Sequence, residues 1–198
     1  MSSLASEVKV ANLALTDLGA DRIIALDEDS ENARKVNAVF EMLRDSVLRS
    51  HPWNFALERR SFNQTTNTPA FGFDNEFQIP GDVLRILSSE NRNYDEWVRE
   101  GDKILVNDTS FKARCIIRIT DTTKWDELFV VTFAARLAAE LAYSITDSRT
   151  LASDKWDIYR LKFRQATGVD AQEGTPLEFL ADEWLDSRRG GVVTPRAE

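Results

Sequence analysis

Residues 121–146, which read DTTKWDELFVVTFAARLAAELAYSIT, constrain the fold more strongly than any other segment of the chain. Thr123 and Asp126 form a plausible capping box at the start of a predicted helix. Beyond them, apolar residues occupy nearly every face of that helix. Because such a helix has no broad face suited to water, we expect other elements to cover it and to place it centrally.

Amphipathic periodicity predicts three more helices, in which apolar residues recur every three or four positions. Gly19 follows the first of them, where a left-handed turn commonly ends a helix. The second helix has Asp29 or Ser30 as its N-cap and ends near Ser50, because Pro52 pushes the preceding residue out of helical geometry. The three predicted helices cover about residues 4–18, 30–50 and 152–166.

The period changes between residue 53 and about residue 120, where short β-rich runs are separated by Pro, Gly, Asn and Asp. Trp53 and Phe55 alternate as strand residues do. Gly101 can take the positive φ that a hairpin between two of these runs needs. This region therefore predicts a small, mainly antiparallel sheet.

Together these patterns predict an α+β, mainly α fold. We expect a bundle of about four helices, with a small antiparallel β-domain inserted between two helical pairs and a C-terminal arm. The predicted boundaries are 1–52 for the N-terminal helical pair, 53–120 for the β-domain, 121–166 for the C-terminal helical pair and 167–198 for the arm.

The predicted C-terminal arm contains a short amphipathic segment between a glycine-containing linker and a polar end. A segment of this kind often docks on a neighbouring subunit. Packing back on its own domain is the alternative, and the sequence leaves both open. The residues on its apolar face are interface candidates: Leu177, Leu180, Trp184 and Leu185.

Charge and cysteine content narrow the functional classes. With 33 acidic and 25 basic residues, the net charge of −8 is unsuited to wrapping a phosphate backbone, although a negative surface lets DNA slide past. Cys115 is the single cysteine, so we expect a buried strand thiol and no disulfide. The N-terminal residues lack signal-peptide features, and no run reaches the ~20 apolar residues of a membrane span. We expect synthesis in the cytoplasm and no membrane partner.

Familiar catalytic patterns are missing from the sequence. His51 is the single histidine, which excludes zinc-hydrolase motifs, and no nucleophile motif or glycine-rich phosphate loop accompanies it. Paired carboxylates remain open in principle, although acidic clusters around Glu28 and Asp182 are most simply a helix start and a solvated face. We therefore predict no catalytic residue, no metal site and no cofactor, and a protein that is not an enzyme.

The stretch SHPWNFALERR, residues 50–60, reads as a structural junction. His51 and Pro52 close the second helix, where a histidine ring suits the exposed carbonyl groups of the last turn. Trp53 and Phe55 anchor the crossing into the sheet. Beyond them, Arg59 and Arg60 are either solvated surface or partners for acidic groups of another subunit.

Several segments, taken in order, resemble phage head-to-tail adaptor proteins, particularly the tail tubular protein A group of short-tailed phages. The matching segments are ENARKVNAVFEMLRDSVLRSHPWNFALERRSF, FQIPGDVLRIL and WDELFVVTFAARLAAELA. In the family, a helix rich in Asn, Ala and Arg ends before a Trp-x-Phe that leads into a sheet. The resemblance covers about residues 5–166, and the segment after Gly168 has no match.

The resemblance implies a virion structural protein of the neck or tail. Such adaptors form a homo-oligomeric, commonly dodecameric ring between the portal protein and the downstream tail or nozzle protein. Viral DNA passes through the lumen without sequence-specific binding. Two alternatives are a tail-associated glycan or cell-wall hydrolase that uses paired carboxylates, and a tail assembly chaperone.

Overall fold

Along the chain, two helices come first, the strands of the sheet follow, and two more helices come last. The structure is a computed structural model that describes residues 6–90 and 97–173. Its helices are α1 (Glu7–Asp17), α2 (Glu31–Ser50), α3 (Glu127–Thr146) and α4 (Arg149–Glu173). Its strands are β1 (Leu57–Gln64), β2 (Asn75–Gln78), β3 (Val83–Ser89), β4 (Val98–Glu100), β5 (Lys103–Val106) and β6 (Phe111–Ile117). The predicted α+β, mainly α class is confirmed.

Helix α3 lies at the centre of the helical body, as its composition predicts. Helices α1, α2 and α4 all pack against it, and half of its residues are buried. Contrary to the sequence prediction, its length and apolar character would also suit a membrane crossing, but 56% of that apolar window is buried inside the protein. Packing against the other helices therefore accounts for the apolar character of α3.

The predicted start of α2 is confirmed, whereas the capping box predicted for α3 is wrong. Ser30 is the N-cap of α2, and its hydroxyl accepts a hydrogen bond from the backbone N–H of Ala33. Helix α3 begins only at Glu127, so Asp126 is itself the N-cap and accepts from two backbone N–H groups. Thr123 belongs instead to a short 3-10 turn, where its hydroxyl donates to Asp121.

The six strands form one antiparallel sheet in the order β3-β6-β1-β2-β5-β4. The predicted hairpin joins β4 to β5, and Gly101 at its turn has a φ of 59°. Apolar side chains lie on both faces of the sheet. One set, which includes Leu57 and Ile116, belongs to the core shared with the helices. Phe62, Phe111 and their neighbours form a second core within the sheet.

A chain of charged side chains joins the helical body to the sheet. The guanidinium group of the buried Arg44 lies 3.1 Å from one carboxylate oxygen of Asp45. The other carboxylate oxygen of Asp45 lies 2.7 Å from Arg118, which follows β6 and also donates to the carbonyl of Gly81. Glu7 of α1 lies 3.9 Å from Arg44. Asp45 thus connects α2 to the end of the sheet.

Helix α4 is longer than its sequence predicts. It continues to Glu173, whereas the predicted arm begins at residue 167, so that boundary falls inside the helix. The last turns are held because Asp170 hydrogen-bonds to Asn54, and one helical glycine, Gly168, costs only ~1 kcal/mol. The predicted amphipathic segment lies outside the described residues.

Candidate functional site

The junction that contains the single histidine is built around Asp170 of α4. His51 Nε2 lies 3.0 Å from Asp170 Oδ2. The backbone N–H of Asn54 donates to Asp170 Oδ1 at 3.0 Å, and the Asn54 side-chain amide donates to the Asp170 carbonyl at 2.6 Å. The end of α2 is therefore tied to the last turns of α4, rather than His51 binding the carbonyl groups of its own helix.

Trp53 and Phe55 do not extend a strand, contrary to the sequence prediction. Residues Asn54–Ala56 form a 3-10 turn, and β1 begins only at Leu57. The turn directs the Trp53 indole back to α2, where Nε1 donates to the carbonyl of Val47 at 3.0 Å. Trp53 therefore donates a hydrogen bond to a carbonyl group in the last turn of α2, the role that the sequence analysis gives to His51.

An aromatic cluster surrounds Trp53 and joins the junction to the central helix. Trp53 is fully buried, and its ring meets Phe129 of α3 edge-on at 5.3 Å between centroids. The ring of Phe55 lies 5.0 Å from that of Phe129, between centroids. The ring of Phe163, on α4, lies 6.1 Å from that of Trp53. His51 packs edge-on against Trp53 at 4.9 Å. The junction is thus a packing centre for three helices.

The surroundings of His51 contain no assembled nucleophile within residues 6–90 and 97–173. The Ser50 hydroxyl is its nearest neighbour in sequence, and it donates to the carbonyl of Val47 at 2.7 Å. Cys115 is buried in β6, and burial raises the pKa of its thiol to about 11. A thiol with that pKa stays protonated near neutral pH and is a poor nucleophile. His51 and Asp170 form a pair without a hydroxyl or thiol to activate.

The acidic cluster before α2 shapes its own loop. Glu28 accepts hydrogen bonds from the backbone N–H groups of Ile24 and Ala25. Hydrogen bonds from Ser30 and then from Ile24 lower the pKa of Glu28, which is the reverse of what a general acid needs. Asp29 pairs with Arg34. No group of three metal-ligating side chains occurs in the described parts of the chain.

Arg59 and Arg60 lie on opposite faces of β1. Arg60 shares its face with Glu58, which it contacts at 2.7 Å, and also pairs with Asp82 at 2.7 Å. The hydrogen bond to Glu58 is the largest of the influences that raise the pKa of Arg60. Arg59 is exposed, and within the described residues it forms no ion pair. The two interface candidates therefore differ: Arg60 is engaged within its own chain, and Arg59 is available to a partner.

Helix α4 carries a second apolar stripe that the other described residues leave uncovered. Ile158, Leu161 and Val169 are 37%, 51% and 44% exposed. Leu161 lies three positions after Ile158, and Val169 lies eleven positions after it. These spacings place the three side chains on one side of the helix, away from the aromatic stripe that packs against α3. The described part of the chain therefore offers an apolar surface along much of its longest helix.

The residues that organise the junction from the far side, Asp170 and Asn54, were missed by sequence reasoning. They are more than a hundred positions apart, so no local spacing announces the contact. The four interface candidates Leu177, Leu180, Trp184 and Leu185 lie outside the described residues. In comparison with known proteins, no protein-family model matches the chain, and no curated protein matches it.

Substitutions at the two ends of the His51–Asp170 contact should differ in cost. Asp170→Ala removes the acceptor for both the His51 ring and the Asn54 backbone N–H. We expect it to lower the free energy of unfolding by about 1.5 to 2 kcal/mol. His51→Gln keeps a donor towards Asp170, so we expect a loss below about 1 kcal/mol. Urea unfolding followed by circular dichroism measures both.

Comparing His51→Gln with Asp170→Ala also tests whether the junction has a structural role or a chemical one. If His51→Gln abolished the biological activity of a protein that kept its stability, the histidine would have a chemical role. A loss at Asp170→Ala no larger than that at His51→Gln would show that Asp170 does not anchor α4.

Proposed function

We propose that this protein is a structural component of a phage virion, a head-to-tail adaptor. It forms a ring with copies of itself, between the portal and the downstream tail protein. The genome passes through the ring's lumen. The ordered resemblance over about residues 5–166 supports this proposal, and so does a fold in which a sheet is inserted between two helical pairs.

The apolar stripe on α4 carries the assembly part of the proposal. Within the described residues, Ile158, Leu161 and Val169 leave apolar surface exposed, and contact with another copy is one way to cover it. Contact with a neighbouring copy removes that surface from water at a gain of ~25 cal/mol per Å². In a ring, such a contact is heterologous: the stripe of one copy meets a different surface of the next.

Charge is consistent with a channel for DNA. The chain carries a net charge of −8, and a surface of that sign repels phosphates. DNA can then move through the lumen without being held. Sequence-specific contacts are not required for this role.

The decisive experiment is electron microscopy of purified phage particles that encode this protein. Class averages of the neck should contain a ring, and mass spectrometry should find the protein in the same particles. Its absence from finished particles would favour an assembly chaperone. Cleavage of cell-wall or capsular glycan by the purified protein would favour a hydrolase.

A variant pair tests the role of the stripe separately. Leu161→Asp places a charge within it, whereas Ser153→Asp places the same charge on another exposed side of α4. Complementation of a phage that lacks the gene should fail with Leu161→Asp and succeed with Ser153→Asp, while both proteins remain folded. Equal complementation by the two variants would exclude the stripe as a subunit contact.

A further inference from the structure

One sheet face concentrates positive charge in a chain that is acidic overall. Arg59 of β1 lies directly opposite Arg114 of β6, and the next pair on the same face is Ser61 and Lys112. On the other side of β6, Arg85 of β3 pairs with Ile116. We call the surface formed by Arg59, Arg85, Lys112 and Arg114 the basic face.

The three arginines of the basic face are not neutralised within the described residues. The side chains of Arg59, Arg85 and Arg114 form no ion pair or hydrogen bond there, whereas the Lys112 side chain pairs with Glu90 at 3.0 Å. Like charges directly opposite on neighbouring strands destabilise a sheet. The Arg59–Arg114 pair therefore raises the free energy of the isolated sheet, and an anionic partner would remove that cost.

The chain itself carries a matching anionic segment. Residues 177–186 read LEFLADEWLD and contain four acidic residues and no basic residue. Its net charge is opposite in sign to that of the basic face, so its carboxylates can pair with the arginines there. No other stretch of this length in the chain combines four carboxylates, no cation and five large apolar residues.

The point where the described chain ends places that segment within reach. The described part of α4 extends to Glu173, about one turn beyond Asp170, and Asp170 hydrogen-bonds to Asn54. Arg59 follows Asn54 by five residues, a distance of at most ~17 Å. Residues 174–182, when extended, span ~30 Å from the end of α4. The acidic segment can therefore reach the basic face of its own chain.

We propose that residues 177–186 dock on the basic face of the same chain. In this contact, carboxylates of the segment pair with Arg59 and Arg114. Tethering at Glu173 makes this contact intramolecular, so it forms at an effective concentration in the millimolar range. The proposal does not depend on the adaptor function.

Disulfide formation in the full-length protein tests the proposal. Ser61→Cys places a thiol on the basic face, and Ala181→Cys places one in the acidic segment. Cys115 stays silent because it is buried and its thiol pKa is about 11. In glutathione buffer we expect an intrachain disulfide, identified by mass spectrometry. Pairing Ala181→Cys with Asp27→Cys is the control, since Asp27 precedes α2 and lies ~30 Å of helix away from the junction.

We expect the Ser61–Ala181 disulfide to form about tenfold faster than the Asp27–Ala181 disulfide. Arg59→Glu with Arg114→Glu should slow it about tenfold, because each reversal replaces an attraction by a repulsion. The matched control is Lys9→Glu with Arg149→Glu, which makes the same change in net charge at exposed positions on the helices. That control should leave the rate unchanged.

Three results would overturn the proposal. Disulfide-linked dimers in place of the intrachain product would mean that the segment docks on another copy. Faster closure to a thiol at Gln165→Cys, on α4, would place the segment on the helical body. Equal slowing by the two charge-reversal pairs would mean that general charge, and not the basic face, governs the contact. Circular dichroism confirms that each variant is folded before its rate is compared.

Discussion

Replacing Trp53 by alanine is expected to lower the free energy of unfolding by about 3 to 5 kcal/mol. The ring is fully buried where α2, α3 and α4 meet, and it contacts Phe129, Phe163 and His51. Removing it leaves a cavity that helices joined by well-packed rings cannot easily close. It also removes the indole donor to the Val47 carbonyl. Urea unfolding followed by far-ultraviolet circular dichroism gives the change directly.

Two further variants separate packing from hydrogen bonding at this position. Trp53→Phe keeps an aromatic ring but lacks the N–H group. It should lower the free energy of unfolding by only about 1 to 2 kcal/mol, because the Val47 carbonyl still accepts a hydrogen bond from Ser50. Met42→Ala, at an exposed position of α2, should change stability by less than about 0.5 kcal/mol. A loss below ~1 kcal/mol for Trp53→Ala would show that the cluster around it does not hold the junction.

The second large effect is expected at Asp45, the carboxylate between Arg44 and Arg118. Asp45→Ala leaves the buried guanidinium group of Arg44 with only the more distant Glu7. It also severs the contact between α2 and the end of the sheet. Removing one partner from a buried ion pair costs up to ~5 kcal/mol, and partial exposure of Asp45 reduces that, so we expect about 2 to 3 kcal/mol.

A double-mutant cycle assigns this loss to its partners. The unfolding free energies of Arg118→Met, Asp45→Ala and the double variant are compared. The departure from additivity measures the coupling between the helical body and the sheet. Glu41→Ala, which removes an exposed carboxylate of the same helix, is the matched control and should be nearly neutral. If Asp45→Ala were as mild as Glu41→Ala, the charged chain would not contribute to joining the two parts.

Local chemistry made much of the fold predictable. Helix α3 was recognisable because apolar residues on every face require burial, whatever covers them. Ser30 and Pro52 define the ends of α2 through a hydrogen bond and a steric clash that involve only near neighbours in sequence. Gly101 marks the β4–β5 turn because its φ is positive there. Each of these signals acts over a few residues, which is why the sequence carries it.

The course of the chain after α2 was less predictable. The alternation of Trp53 and Phe55 is compatible with a strand, but burial against Phe129 and a bond to Val47 favour a 3-10 turn. Similarly, Gly168 reads as a break, yet Asp170 binds to the junction and keeps α4 helical. In both cases tertiary contacts outweighed a local preference of about 1 kcal/mol or less.

The candidate surfaces depended on strand register. The spacing of Lys112 and Arg114 at alternate positions already indicates a shared face, and that signal was available in the sequence. Their position beside Arg59, with Arg60 turned to the other face, follows from the pairing of β1 with β6. A slip of one residue in that pairing would exchange the two faces.

The sequence alone determined that the four helices exist, where α2 begins and ends, the β4–β5 turn and the class of the fold, because capping, chain stiffness and apolar periodicity are local properties. The tertiary structure alone decided which charged groups meet. It joined His51 to Asp170 and placed Arg59 directly opposite Arg114, where no carboxylate from residues 6–90 or 97–173 pairs with either side chain. These contacts connect residues that are distant in sequence, and their energies depend on burial and distance, which are set only when the chain is folded.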